Sequence, residues 1–75
     1  MSDNRIPLLA TVALIIDLPE ERLTRGQIGT VVEHLDANGE IAELVEFADD
    51  DGQTYAILPL KPEQLLVLHR QHQAA

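Results

Sequence analysis

The sequence predicts an all-β fold: a small five-stranded SH3-like barrel with a one-turn helix before the last strand. Three observations predict it. Short runs of aliphatic and β-branched residues recur along the chain, divided by turn signals at the spacing of a small barrel or sandwich. Two of those signals, Asn38-Gly39 and Asp51-Gly52, are strong hairpin dipeptides. The length of 75 residues allows one domain, 1–75, with its core at about 8–69.

The elements follow in order. Residues 1–5, MSDNR, are polar and are expected to fray. Residues 8–16, LLATVALII, read as the first strand. Pro7 would also suit a helix start, but the β-branched content and the stop at Asp17-Leu18-Pro19 favour a strand. DLPEERLTRG is a long polar excursion that Leu18 and Leu23 can anchor. QIGTVVEHL is the second strand, and DANGE is a turn. IAELVEF is the third strand, with Ile41, Val45 and Phe47 on one face together with Glu43. Its Ala, Glu and Leu also suit a helix; its position between two hairpin turns decides for a strand. ADDDGQ is the second turn, TYAILPL a fourth strand ending at Pro59, and KPEQL a single helical turn with Pro62 at its start. LLVLH closes the set, and HRQHQAA is a polar tail.

Two glycines stand three apart in RGQIGTVV. Phosphate loops use such spacing, but here no strand–turn–helix unit surrounds it and no Gly-Lys-Ser/Thr follows. Gly26 is expected where the long loop turns into the second strand. Gly29 is expected to mark a bulge or a close backbone approach inside that strand.

This order of motifs resembles a bacterial family, domain of unknown function 4926. The residues that carry the likeness are Asp17-Leu18-Pro19, Arg25-Gly26, Gly29-Thr30-Val31-Val32, Val45-Glu46-Phe47, Asp51-Gly52, and Pro62 with Gln64-Leu65. The likeness covers about residues 11 to 68. Its Gly-x-x-Gly-x-Val-Val part is also similar to the KOW motif of ribosomal and transcription-factor barrels, and to SH3-like subunits such as the nitrile hydratase β-chain. The resemblance implies a fold and no mechanism.

Composition narrows the function. The chain has 13 acidic and 5 basic side chains, a net charge of −8. Nucleic-acid affinity is largely counterion release by Lys and Arg. Here Arg5, Arg22, Arg25, Lys61 and Arg70 are scattered. Binding of nucleic acid through the KOW-like segment from Arg25 to Val32 is the alternative function. No cysteine is present, which removes disulfides and thiolate metal sites and fits a reducing compartment. No run reaches the roughly 18 apolar residues of a membrane span. IPLLATVALII also lacks the basic flank and cleavage site of a signal peptide. A cytoplasmic protein with no membrane contact is expected.

Chemistry-bearing clusters are sparse. Asp49, Asp50 and Asp51 run consecutively into Gly52, whereas a calcium loop needs alternating oxygens and a distant glutamate. They read as a charged hairpin tip. His69 and His72 lie in the tail with no further ligand beside them. No metal, cofactor or catalytic residue is therefore expected. Glu33, Glu40, Glu43 and Glu46 are expected to form an acidic outer face, which would steer a basic partner. A proline-rich ligand is disfavoured because Phe47 and Tyr55 are the only aromatics.

The expected function is a non-catalytic protein–protein interaction module, docking or neutralising a basic partner. LLATVALII is apolar on both faces, so one face needs a cover: Ile6-Pro7-Leu8-Leu9, a second copy of the chain, or another protein. The C-terminal LLVL could lie beside it. The expected partner-binding residues are Leu14 and Ile16 on the first strand, with Asp17, Leu18, Glu20, Arg22 and Arg25 in the long loop.

Overall fold

The computed structural model describes residues 5–68. Five antiparallel strands make one sheet: β1 (Thr11–Leu14), β2 (Ile28–Ala37), β3 (Glu40–Ala48), β4 (Thr54–Leu60) and β5 (Leu65–Leu68). Their spatial order is β4-β3-β2-β1-β5. Among the described residues the only helical segments are two 3-10 turns, η1 (Pro19–Glu21) and η2 (Pro62–Gln64). The all-β expectation holds, strand for strand. The barrel does not close, because β4 and β5 are the two edges of the sheet and do not pair with each other. The η2 turn carries the chain from β4 across to β1, where β5 pairs from Leu14↔Leu65 to Thr11↔Leu68.

A single sheet has no second layer, so its inner face must be covered by its own curvature and by segments outside the strands. Val12, Leu14, Val31, Val45 and Phe47 line that face and are 0–1% exposed. Leu60 and Leu65 join from the ends of β4 and β5. Ile6, from before β1, and Leu23, from the long loop, complete the core.

The first strand is shorter than the apolar run. Residues 7–10 form a turn, with the Ala10 N–H donating to the Pro7 carbonyl at 3.1 Å and Leu9 held at φ 69°. The turn leaves Leu8 and Leu9 exposed and sends Ile6 under the sheet. Beyond β1 the chain bends at Ile15 and Ile16. The LLVL segment does lie beside the first strand, as β5.

Each glycine of the pair has a different reason. Gly26 has φ +94° and open space around it, the left-handed backbone that favours glycine. Gly29 is a close approach: a Cβ there would sit 2.7 Å from Val45 Cγ1, 2.9 Å from Phe47 Cε1 and 3.0 Å from the Glu46 carbonyl. It is not the bulge. The bulge lies downstream, where the β2–β3 register passes from Val31↔Val45 to Glu33↔Leu44 with Val32 as the extra residue. Asn38 at φ 55° and Gly39 at φ 81° close the β2–β3 hairpin as a two-residue turn of the type I′ hand.

Candidate functional site

The long loop between β1 and β2 is tightly folded. Leu18 and Leu23 pair as an isolated bridge, with hydrogen bonds of 2.9 and 3.1 Å in the two directions. Between them η1 turns the chain, and Arg22 ends it at φ 61° with its N–H on the Pro19 carbonyl. Leu23 is 0% exposed and pins the loop to the core. The Asp17 carboxylate accepts the Arg25 N–H at 2.8 Å, so this side chain shapes the loop. Pro19 starts η1, as its fixed φ suits.

The loop tip lies against the end of β4. Leu18, Pro19, Glu20 and Glu21 form one wall of a shallow groove of about 390 Å³; Leu58, Pro59 and Leu60 form the other, with Gln64 at its end. Gln64 is held on both sides: its side chain accepts the Lys61 N–H at 2.7 Å and its carbonyl accepts the Ile15 N–H at 3.1 Å. No aromatic side chain lines the groove. Its floor is aliphatic. Glu20 and Glu21 are exposed at its rim and make no ion pair with any described residue.

The structure brings together some of the expected site residues and separates others. Leu18 and Glu20 line the groove, and Asp17 supports the loop behind it. Arg22 and Arg25 are exposed in the same loop. Ile16 is half-buried at its base. Leu14 is corrected: at 1% exposure it belongs to the core and presents nothing to a partner. The alternation that gives β1 two faces turns Leu14 inward, beside Val12.

The acidic face also needs correction. Glu43 does not belong to it, being 0% exposed and the one buried charged residue among those described. Arg5 reaches it with Nε at 3.3 Å from Oε2 and Nη2 at 3.4 Å from Oε1. Arg5 Nη2 also donates to the Ala42 carbonyl at 3.1 Å and the Leu35 carbonyl at 3.4 Å. His34 lies opposite Glu43 in the ladder, with Nε2 3.7 Å from Oε1. That nitrogen is 2.6 Å from the Ile6 carbonyl, which can only accept, so it carries the proton. Arg5 is thus tied down rather than frayed. The bulge makes this arrangement: without the extra residue at Val32, the register of Val31↔Val45 would set Glu33 opposite Glu43, two like charges.

The hairpin tip at residues 49–53 has a structural use for its first aspartate. Asp49 accepts the N–H groups of Asp51 at 2.9 Å and Gln53 at 3.0 Å. Among the described residues no three His, Cys, Asp or Glu side chains gather as a metal site. His69 and His72 lie outside the described residues. No helix among the described residues is long and apolar enough to cross a membrane.

The run from the apolar strand through the Asp-Leu-Pro loop, the paired glycines and the closing turn is matched by the model of the domain of unknown function DUF4926, over residues 8–67. The chain belongs to this family. No curated protein and no solved structure matches it. The matched stretch of the DUF4926 domain takes in β1 to β4, β5 as far as Val67, the loop and the groove, and Arg5 lies just upstream of it.

Proposed function

We propose that this DUF4926 domain is a non-catalytic protein-binding module of the cytoplasm. It takes a basic, extended segment of a partner in the groove between the long loop and β4. The observation that carries the reading is the pairing of an aliphatic floor, Leu18, Leu58 and Leu60, with the carboxylates of Glu20 and Glu21, which no described residue pairs with as an ion. Such a groove fits apolar side chains alternating with Lys or Arg. The net charge of −8 steers a cationic partner toward it. The absence of cysteine supports a reducing compartment.

The test is titration with a synthetic peptide alternating Leu and Arg, followed by calorimetry. We expect saturable binding that weakens with salt, since exposed charges are screened over about 10 Å at 0.1 M. The double variant Glu20→Gln, Glu21→Gln should bind at least about tenfold more weakly, a loss of about 1.4 kcal/mol. Equal affinity of variant and wild type would end the groove reading. Tighter binding of a single-stranded oligonucleotide than of the peptide would favour the nucleic-acid alternative.

A further inference from the structure

Among the described residues β4 and β5 are the two edge strands of the sheet, and they are not equivalent. Proteins blunt sheet edges with proline, charge or bulges, because an unblunted edge templates another strand. The β4 edge carries two such devices. Pro59 lacks an N–H, and a register shift between Phe47↔Ala56 and Ala48↔Thr54 leaves Tyr55 as an extra residue. The β5 edge carries neither: Leu65, Leu66, Val67 and Leu68 include no proline and no charge.

The ladder phase shows what this edge presents. The Ile15 N–H donates to the Gln64 carbonyl, and hydrogen-bonded pairs alternate along an antiparallel ladder. Leu66 and Leu68 therefore bond to Ala13 and Thr11 of β1, while the backbone groups of Val67 point away from the sheet. The Leu65 N–H is taken by the Pro62 carbonyl, so Val67 supplies both a donor and an acceptor at the edge. On the outer face Leu66 is 54% exposed and Leu68 37% exposed. Ladder neighbours extend this apolar surface through Ala13 to Ile28, itself 50% exposed.

We propose that β5 pairs antiparallel with the β5 of a second copy of this chain, about a two-fold axis at Val67. A two-fold there lets the two Val67 residues exchange both backbone hydrogen bonds. It sets Leu66 of each copy opposite Leu68 of the other, on the same outer face, as strand pairing requires. The net −8 on each copy opposes association at long range, but the contact itself is uncharged. Neither β1 nor β5 carries a charged side chain, and interface cores are depleted of charge. A chain this small buries a limited core and gains most from association. The β1 strand cannot itself be the pairing edge, since β2 and β5 occupy both of its sides.

The experiment is a dilution series of the full chain by light scattering and analytical ultracentrifugation, with Leu68→Lys and Leu66→Lys beside it. Circular dichroism checks that each variant stays folded, and hydrogen exchange of the Val67 amide supplies a reading that needs no variant. We expect a dimer that dissociates on dilution, at least tenfold weaker dimerisation in both variants, and protection of the Val67 amide that falls as dimer is lost. A wild type monomeric at every concentration overturns the proposal, as does a dimer that both folded variants leave intact or a Val67 amide that exchanges freely in the dimer. A protein that binds only as an added strand from a different chain would give the monomer result. None of these outcomes depends on Glu20 or Glu21, so the groove stands or falls separately.

Discussion

Glu43 and Glu46 stand three residues apart on β3 and meet opposite fates. Glu43 points inward, fully buried against Arg5 and His34. Glu46 points outward, half-buried, opposite Thr30 and Ile57, and accepts a hydrogen bond from the Thr54 hydroxyl. The same side chain is a structural commitment in one place and a surface feature in the other. A buried carboxylate is tolerable only with its counter-charge in place. Here that counter-charge comes from the N-terminal segment, outside the sheet and 38 residues away.

The largest expected effect comes from breaking the inner pair. Arg5→Met leaves a buried carboxylate without its guanidinium and should destabilise by about 3–5 kcal/mol, measured by urea denaturation. Domains this size carry about 5–15 kcal/mol in total, so the variant sits near unfolding. Arg5→Met combined with Glu43→Leu should recover most of the loss, because an apolar replacement of a whole buried pair is often neutral. A double variant no better than the single would show that the loss comes from packing of Arg5, not from the stranded charge. Next comes the inner face beside Glu43. Gly29→Ala drives a Cβ into Val45 and Phe47 and should cost about 1–3 kcal/mol. Gly26→Ala meets no atom within 4 Å and should cost about 1–2 kcal/mol from its backbone alone. The smallest effect belongs to the outer carboxylate. Glu46→Gln should stay within about 1 kcal/mol of wild type in the same melt, and a loss as large as that of Arg5→Met would erase the distinction between the faces.

Local signals made much of this legible in the sequence. Asn38-Gly39 and Asp51-Gly52 set the hairpins, and Pro62 marked the last turn. Those features act over a few residues. What was not legible depended on long-range pairing. Alternation puts Glu43 on the face of Ile41, Val45 and Phe47, but its acidic neighbours point instead to an outer acidic face, and its partner Arg5 looks like part of a polar, frayed end. Nothing in MSDNR signals that one arginine will cross the sheet. The bulge at Val32 carried no glycine to announce it; Gly29, open in the sequence to a bulge or a close approach, is the close approach, to side chains of the third strand. Leu14 was equally hidden: both faces of its strand are apolar, so alternation could not say which one faces inward. Of the site, the loop and its rim residues Leu18 and Glu20 were readable, and the opposite wall at Leu58 to Leu60 was not, because it arrives from another part of the chain.

The placement of β1 between β2 and β5 bears on how the molecule is made. Thr11 pairs with Thr30 on one side and with Leu68 on the other. The β2–β3 and β3–β4 hairpins can close as soon as their residues leave the ribosome, since each joins neighbours in sequence. The strand that completes the other flank of β1 is the last of the five to be synthesised. Until it emerges, one side of β1 is an open edge and the inner face lacks Leu65. The four-stranded form therefore belongs only to the interval between the completion of β4 at Leu60 and the arrival of β5 at Leu65, and over that interval β1 has one unpaired flank.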